Sequence, residues 1–266
     1  MDKNSYKLVK LPKGEVAVYD LDATTLHAYK TNDPMTDEVF ILEKNGRALI
    51  LESPSFVDNV KELTEYVGTL SSKVEALVLS YHLAGGTFLP DVPVYATKNA
   101  DKHGHSGGGK TLVDNFVKAF GATFDASIPT VTHTINTGPV KIAGFTLNII
   151  PTPDAFDVRI PELSIAYIHM MGHDGHSIVS GAHHADSLIT QLKDLIARNF
   201  ALILTSHHTP EDLKDAQTKI DYLETLKATA AASPDAAAFK QSMLKKYPTY
   251  TGEHYLDMTA GFFFPS

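Results

Sequence analysis

The period of the hydrophobic pattern changes along this chain, and that change limits the fold more than any other feature. Through the first fifty residues apolar and polar side chains alternate in short runs, as in YKLVKL, EVAVYDL, DEVFILE and RALILE. A period of two places alternate side chains on one face of a strand, so several antiparallel strands are expected, with Asn45-Gly46 as a hairpin turn. From Val57 the spacing turns helical: Val57, Val60, Leu63 and Val67 share a face, Gly68 is a plausible stop, and the apolar run Val74 to Leu79 reads as a buried strand. Pro90 to Thr97 reads as another strand, and Thr111 to Phe120 as a helix ended by Gly121.

The second half repeats the alternation. Val140 to Ile150 suggests a hairpin around Ala143-Gly144, and Leu163 to Met171 is strand-like. Asp186 to Arg198 carries Leu188, Ile189, Leu192, Leu195 and Ile196 at helical spacing and leads into the strand FALILT. Thr209, Pro210 and Asp212 then read as the N-cap, first position and first-turn acid of a long helix, and a shorter helix ends near Tyr247-Pro248. In 266 residues that are 43% hydrophobic and 20% charged, this order predicts one α/β domain over residues 1–266, with helices outside sheets.

Composition removes whole classes of function. The chain has no cysteine, so disulfides, thiolate catalysis and every zinc site that needs sulfur are excluded, and a metal would have to be held by His, Asp, Glu or water. A formal charge of -8 opposes the capture of nucleic acid. The polar start MDKNSYKLVKLPKGE lacks a signal-peptide core and no apolar run is long enough for a membrane span, so the expectation is a cytoplasmic protein with no membrane partner.

Of 13 histidines, His169, His173, His176, His183, His184, His207 and His208 crowd into residues 169–208. Imidazole is the commonest protein ligand for metals and the usual acid or base near neutral pH. His207 and His208 follow an apolar strand and precede a helix, where α/β folds commonly build sites. Gly172-His173-Asp174-Gly175-His176 also follows a strand and packs two imidazoles and a carboxylate into a short loop, a ligand set suited to zinc.

Across most of its length the chain resembles the metallo-β-lactamase superfamily. The similar segments are RALILE, Val57 to Gly68, EALVLSYHLAGG and DVPVYAT, then PTPDAF, the His173-Asp174 turn, LILTSHHTPE and the helix containing IDYLETL. The resemblance implies an αββα sandwich of two mixed sheets with outer helices. It also implies a metal centre, which active members build from a His-x-His-x-Asp-His loop and later ligands. Only Ser80, Tyr81, His82, Leu83 and Ala84 precede Gly85-Gly86 here, so His82 is the one ligand left in that loop. By resemblance Asp174 matches the bridging carboxylate, a metal ligand and catalytic residue, His207 matches the last histidine, and Glu52 stands where the family has a structural aspartate. His173, His176 and His208 are the candidates to replace lost ligands.

The resulting expectation is a metallo-hydrolase with a rearranged, mononuclear site for one divalent ion, zinc first, acting on a small ester, amide, lactone or phosphoester. An inactive relative that binds a small ligand or a partner is the alternative. A third reading comes from Gly104-His105-Ser106-Gly107-Gly108-Gly109-Lys110-Thr111, which matches a phosphate-loop pattern, although Lys98 to His103 separate it from its strand. A flexible surface loop is the simpler expectation there.

Overall fold

The computed structural model of the protein describes residues 2–265. The alternating N-terminal runs form an antiparallel meander of β1 (Lys7–Leu11), β2 (Gly14–Leu21), β3 (Thr24–Thr31), β4 (Glu38–Lys44) and β5 (Arg47–Leu51). The β4–β5 turn places Asn45 and Gly46 at positive φ, as a type I′ hairpin requires. Helix α1 (Val57–Val67) then crosses to β6 (Lys73–Val78), which lies parallel to β5. β7 (Val94–Thr97) continues the parallel part and, after α2 (Lys98–Ser106) and α3 (Gly108–Phe120), so does β8 (His133–Ile135). The eight strands follow chain order from β1 to β8 in one mixed sheet.

A second sheet begins with the hairpin meander β9 (Gly138–Ile142), β10 (Phe145–Pro151), β11 (Phe156–Ile160) and β12 (Ile165–Ile168). Helix α4 (Ala182–Ala197) precedes β13 (Leu202–Thr205) and β14 (His208–Glu211), and the six strands stand in the order β14-β13-β12-β11-β10-β9. Three helices complete the described chain: α5 (Leu213–Ala232), α6 (Ala236–Lys246) and α7 (Glu253–Phe263). The expected α/β class with two sheets and helices is therefore the observed one.

The chain divides into two compact units, residues 2–170 with 204–210 and residues 171–203 with 211–265. In the first, β4 is buried on both faces from Val39 to Leu42, whereas β10 buries only alternate residues Phe145, Leu147 and Ile149. Val60 and Leu63 of α1 pack on Ile41, Ile50 and Leu77 on one side of the large sheet. On the other side Phe40 meets Tyr167 of β12 edge-on, with ring centroids 6.1 Å apart. Among the described residues, no helix is long and apolar enough to cross a membrane.

The second unit is mainly helical, its interior lined by Ile189 and Leu192 of α4, Ile220, Leu223 and Leu226 of α5, Phe239 and Met243 of α6 and Leu256 of α7. Helix α5 starts later than expected from the sequence. Thr209 and Pro210 lie in β14, and Asp212 is the N-cap, its carboxylate accepting from Lys214 and Asp215 N–H while the Asp215 carboxylate accepts from Asp212 N–H. Both Thr209 and Asp212 suit a cap and each has an aspartate three residues on, but Thr209 is extended within β14, so the reciprocal box closes between Asp212 and Asp215.

Candidate metal centre

Three of the loops that leave strands in the first unit bring imidazoles together. His82 follows β6 by a short loop, His169 is the first residue after β12, and His207 lies between β13 and β14. One ring nitrogen from each lies within 4.8 Å of one from each of the others. Nε2 of His82 and Nε2 of His207 are 3.3 Å apart.

The backbone around these residues is fixed by buried polar groups. Glu52, at the end of β5, is 1% exposed and has φ +67°, a conformation that non-glycine residues rarely adopt. Its carboxylate accepts N–H groups from Ser80 (3.4 Å), Tyr81 (2.9 Å) and His82 (3.0 Å), and the Tyr167 hydroxyl (2.5 Å). Tyr167 also meets the Ser206 hydroxyl at 2.7 Å, and Ser206 N–H donates to the His169 carbonyl at 2.9 Å. One carboxylate thus ties the His82 loop to the strand that delivers His169 and the turn that delivers His207. Gly85 closes the loop where no other residue fits: its φ is +77°, and a Cβ there would sit 2.0 Å from the Pro54 carbonyl oxygen.

Aromatic and carboxylate neighbours set the electrostatics. Tyr81 stacks flat on His169, with centroids 4.3 Å apart and planes 5° from parallel, and its hydroxyl donates to Asp157 (3.0 Å) and accepts from the Thr152 hydroxyl (3.1 Å). Burial, reinforced by His82 and His207, holds His169 well below the usual histidine range, so it is a neutral lone-pair donor near pH 7. Asp37 is 2% exposed, and its Oδ1 lies 3.2 Å from Nδ1 of His207 and 3.9 Å from Nδ1 of His82. Burial would raise the Asp37 carboxyl, but the two histidines outweigh it and hold it below the usual carboxylate range. Burial likewise would lower His207, and the hydrogen bond and charge of Asp37 carry it above its ordinary value instead.

The three nitrogens could hold a metal ion, and one pair has the spacing of two ligands on one ion. Ligands at the usual zinc–nitrogen distance in a tetrahedron lie roughly 3.4 Å from each other, close to the His82–His207 separation of 3.3 Å. Nδ1 of His82 is buried with no hydrogen-bond partner among the described residues, and Asp37 Oδ1 faces the Nδ1 atoms of His207 and His82 at 3.2 and 3.9 Å, away from the two Nε2 atoms. Two imidazole nitrogens held this close repel unless a proton or a metal ion lies between their lone pairs.

The residues singled out from the sequence divide between the two units. His82 and His207 converge as expected. The group they form contains His169 and not Asp174. Asp174, His173 and His176 belong to the second unit. There buried Glu211 accepts from Gly172 N–H (3.0 Å), His173 N–H (2.7 Å) and His173 Nδ1 (2.9 Å), a contact that raises the His173 pKa. Buried Lys219 donates to the Gly172 (3.0 Å) and Gly175 (2.8 Å) carbonyls, Thr251 N–H donates to the Asp174 carbonyl, and His176 Nδ1 pairs with the Tyr222 hydroxyl at 2.9 Å. The loop is a packed turn held by its own unit. His208 opens β14, with Nδ1 3.0 Å from the Thr209 carbonyl oxygen.

Sequence reasoning passes over His169 and Asp37 as site residues. His169 stands within an apolar stretch that reads whole as a strand, and Asp37 within the run DEVFILE. The one signal for His169 is its position: a ligating side chain directly at a strand end, the criterion that finds His207.

The phosphate-loop reading meets a different outcome. Gly104 to Thr111 is neither a phosphate cradle nor an open surface loop but runs through α2 and α3, with Gly107 between them. Lys110 pairs with Asp114 one turn on. The glycines serve packing: a Cβ at Gly109 would lie 2.8 Å from the His103 ring, and one at Gly107 the same distance from the His103 Cα.

The sequence matches no protein-family model, and no curated protein is significantly similar to it. Solved structures are similar in fold. A metallo-beta-lactamase from Erythrobacter litoralis, with beta-mercaptoethanol in its active site, superposes with a TM-score of 0.58 at 15% identity, covering 82% of this chain and 100% of that one. A metallo-beta-lactamase family protein from Thermus thermophilus gives 0.60 at 12% identity and 91% coverage of both chains. FIM-1 from Pseudomonas aeruginosa, in its mono-zinc form, gives 0.56 at 12% identity over 80% of this chain and 96% of that one. The chain has the metallo-beta-lactamase fold.

Proposed function

We propose that this protein is a metal-dependent hydrolase that holds one divalent ion, zinc first, on His82, His169 and His207. Its substrate would be a small ester, amide, lactone or phosphoester. The observation that carries the reading is the convergence of three imidazoles from three separate strand ends, two of them facing each other at 3.3 Å. Strand, loop and turn residues this far apart in sequence do not meet by local geometry alone. We assign the third ligand to His169 in place of Asp174.

Three imidazoles and a water are a ligand set that catalytic zinc sites use. A zinc ion bound there supplies a water acidic enough to ionise near neutral pH and an electrophile for the oxygen of the scissile group. The chain's own contributions are separate. His169 offers its lone pair without first losing a proton, Asp37 balances the positive charge from behind, and the Tyr81 stack fixes the plane of His169. The His207 side chain is 22% exposed and that of His82 13%, which leaves an approach for a small molecule. The fold-mates named beta-lactamases support a hydrolytic class, and the mono-zinc form of one supports a single ion. The charge of -8 disfavours nucleic acid as a partner, and a small-molecule substrate and a cytoplasmic location with no membrane partner belong to the same proposal.

The test is metal analysis of protein purified without a His tag and offered zinc, then desalted. The expected content is about one ion per chain, lost in His169→Ala and His207→Ala and retained in His254→Ala. Wild-type protein that takes up no zinc overturns the proposal and leaves the non-catalytic, ligand-binding alternative.

A further inference from the structure

We infer that Asp37 is a positioning residue for the metal centre: one buried carboxylate that orients His207 and holds both His82 and His207 with Nδ1 protonated and Nε2 open toward the cation. This rests on the metal-site reading above. The evidence is geometric. Asp37 is almost fully buried, and among the described residues its ion-pair partners are both histidines, with no lysine or arginine beside it. A carboxylate buried without such a partner is costly unless charge or hydrogen bonds meet it.

The two imidazoles present the same atoms in the same sense. Nδ1 of His207 lies 3.2 Å from Asp37 Oδ1 and Nδ1 of His82 lies 3.9 Å from it, while their Nε2 atoms meet at 3.3 Å on the other side. A proton on Nδ1 toward the carboxylate leaves the Nε2 lone pair for a metal, and carboxylates behind ligating histidines fix tautomer and ring orientation in this way. His207 has a further acceptor in the Met35 carbonyl, also 3.2 Å from Nδ1, whereas His82 Nδ1 has no hydrogen-bond partner and feels Asp37 through charge alone. His82 is therefore the more dependent of the two. Sequence position gives no hint of the role, because Asp37 lies 45 residues before His82 and 170 before His207.

The experiment compares Asp37→Asn, which keeps an acceptor oxygen and removes the charge, with Asp37→Ala, which removes both. Asp154→Asn, an exposed carboxylate outside the cluster, controls for net charge. Zinc affinity is measured by competition with a chelating dye, and the tautomers of His82 and His207 by nitrogen-15 NMR of the metal-free protein. Circular dichroism establishes that each variant is folded. We expect zinc affinity to fall roughly 10-fold in Asp37→Asn and toward 100-fold in Asp37→Ala, with no change in Asp154→Asn. His82 in folded Asp37→Ala should shift to the Nε2-protonated form. Affinity within twofold of wild type together with unchanged imidazole spectra in both variants overturns the inference. If wild type binds no zinc, the metal reading falls by itself, and the inference about Asp37 then stands or falls on the imidazole spectra. Should Asp37→Ala fail to fold, Asp37→Asn decides by its affinity.

Discussion

Glu52 is the residue on which most of the centre depends. It accepts N–H groups from three consecutive residues and a hydroxyl from Tyr167 while holding a strained φ of +67°. Removing the carboxylate leaves buried amides without an acceptor. Glu52→Ala should therefore cost about 3 to 5 kcal/mol in urea unfolding. Glu52→Gly loses the same acceptor but tolerates the backbone, and should recover about 1 kcal/mol of that loss. Equal stabilities for the two would show that the backbone conformation carries no strain. The family resemblance singles out Glu52, His82 and His207, and His207 also follows an apolar run that reads clearly as a strand. The sequence does not announce Asp37, whose partners are remote in the chain. Asp174 is attractive in the sequence because glycines and histidines flank it, yet those neighbours build a turn around Glu211 and Lys219. Composition of a loop reports which ligands are available, and only the fold decides which of them meet.

Elements whose pattern is set by burial are legible. The meander β1 to β5, helix α1 and the strand β6 follow directly from a period of two giving way to one of 3.6. Elements decided by local competition are not. Residues 98–106 carry few apolar side chains and read as a connection, but Thr97 caps them by accepting from Ala100 N–H, and they form α2. The glycine run after it reads as flexible and instead starts a helix because it packs on His103. The start of α5 falls at Asp212 rather than Thr209 for the same kind of reason. Asp212→Ala should cost about 1 kcal/mol, whereas Thr209→Ala, exposed and outside the helix, should change stability by less than about 0.5 kcal/mol. Thermal unfolding of the pair distinguishes the caps, and the reverse order would return the helix start to Thr209.

For the molecule as a whole, one buried amine links stability to pH. Burial lowers Lys219 from 10.5 to about 7, against the opposing pull of Glu211 and Asp174. Between those values the unfolded chain binds a proton that the folded chain does not, so stability rises with pH. The contribution is fully present above pH 10.5 and is lost as pH falls through about 7. Its slope is at most about 1.4 kcal/mol per pH unit. Lys219→Met should flatten the rise in unfolding midpoint between pH 7 and 9.5 relative to wild type; a variant that keeps the full rise would assign the effect to other groups. A different consequence follows from the anchoring of the His82 loop. Because Glu52, Tyr167, Ser206 and Gly85 fix that loop through bonds made on folding, the order of the donor atoms is set before any ion arrives. Loading of the proposed metal site would then have little chain entropy to remove and little apolar surface to hide, so calorimetry should find a small heat-capacity change, with the free energy coming from coordination and the release of water.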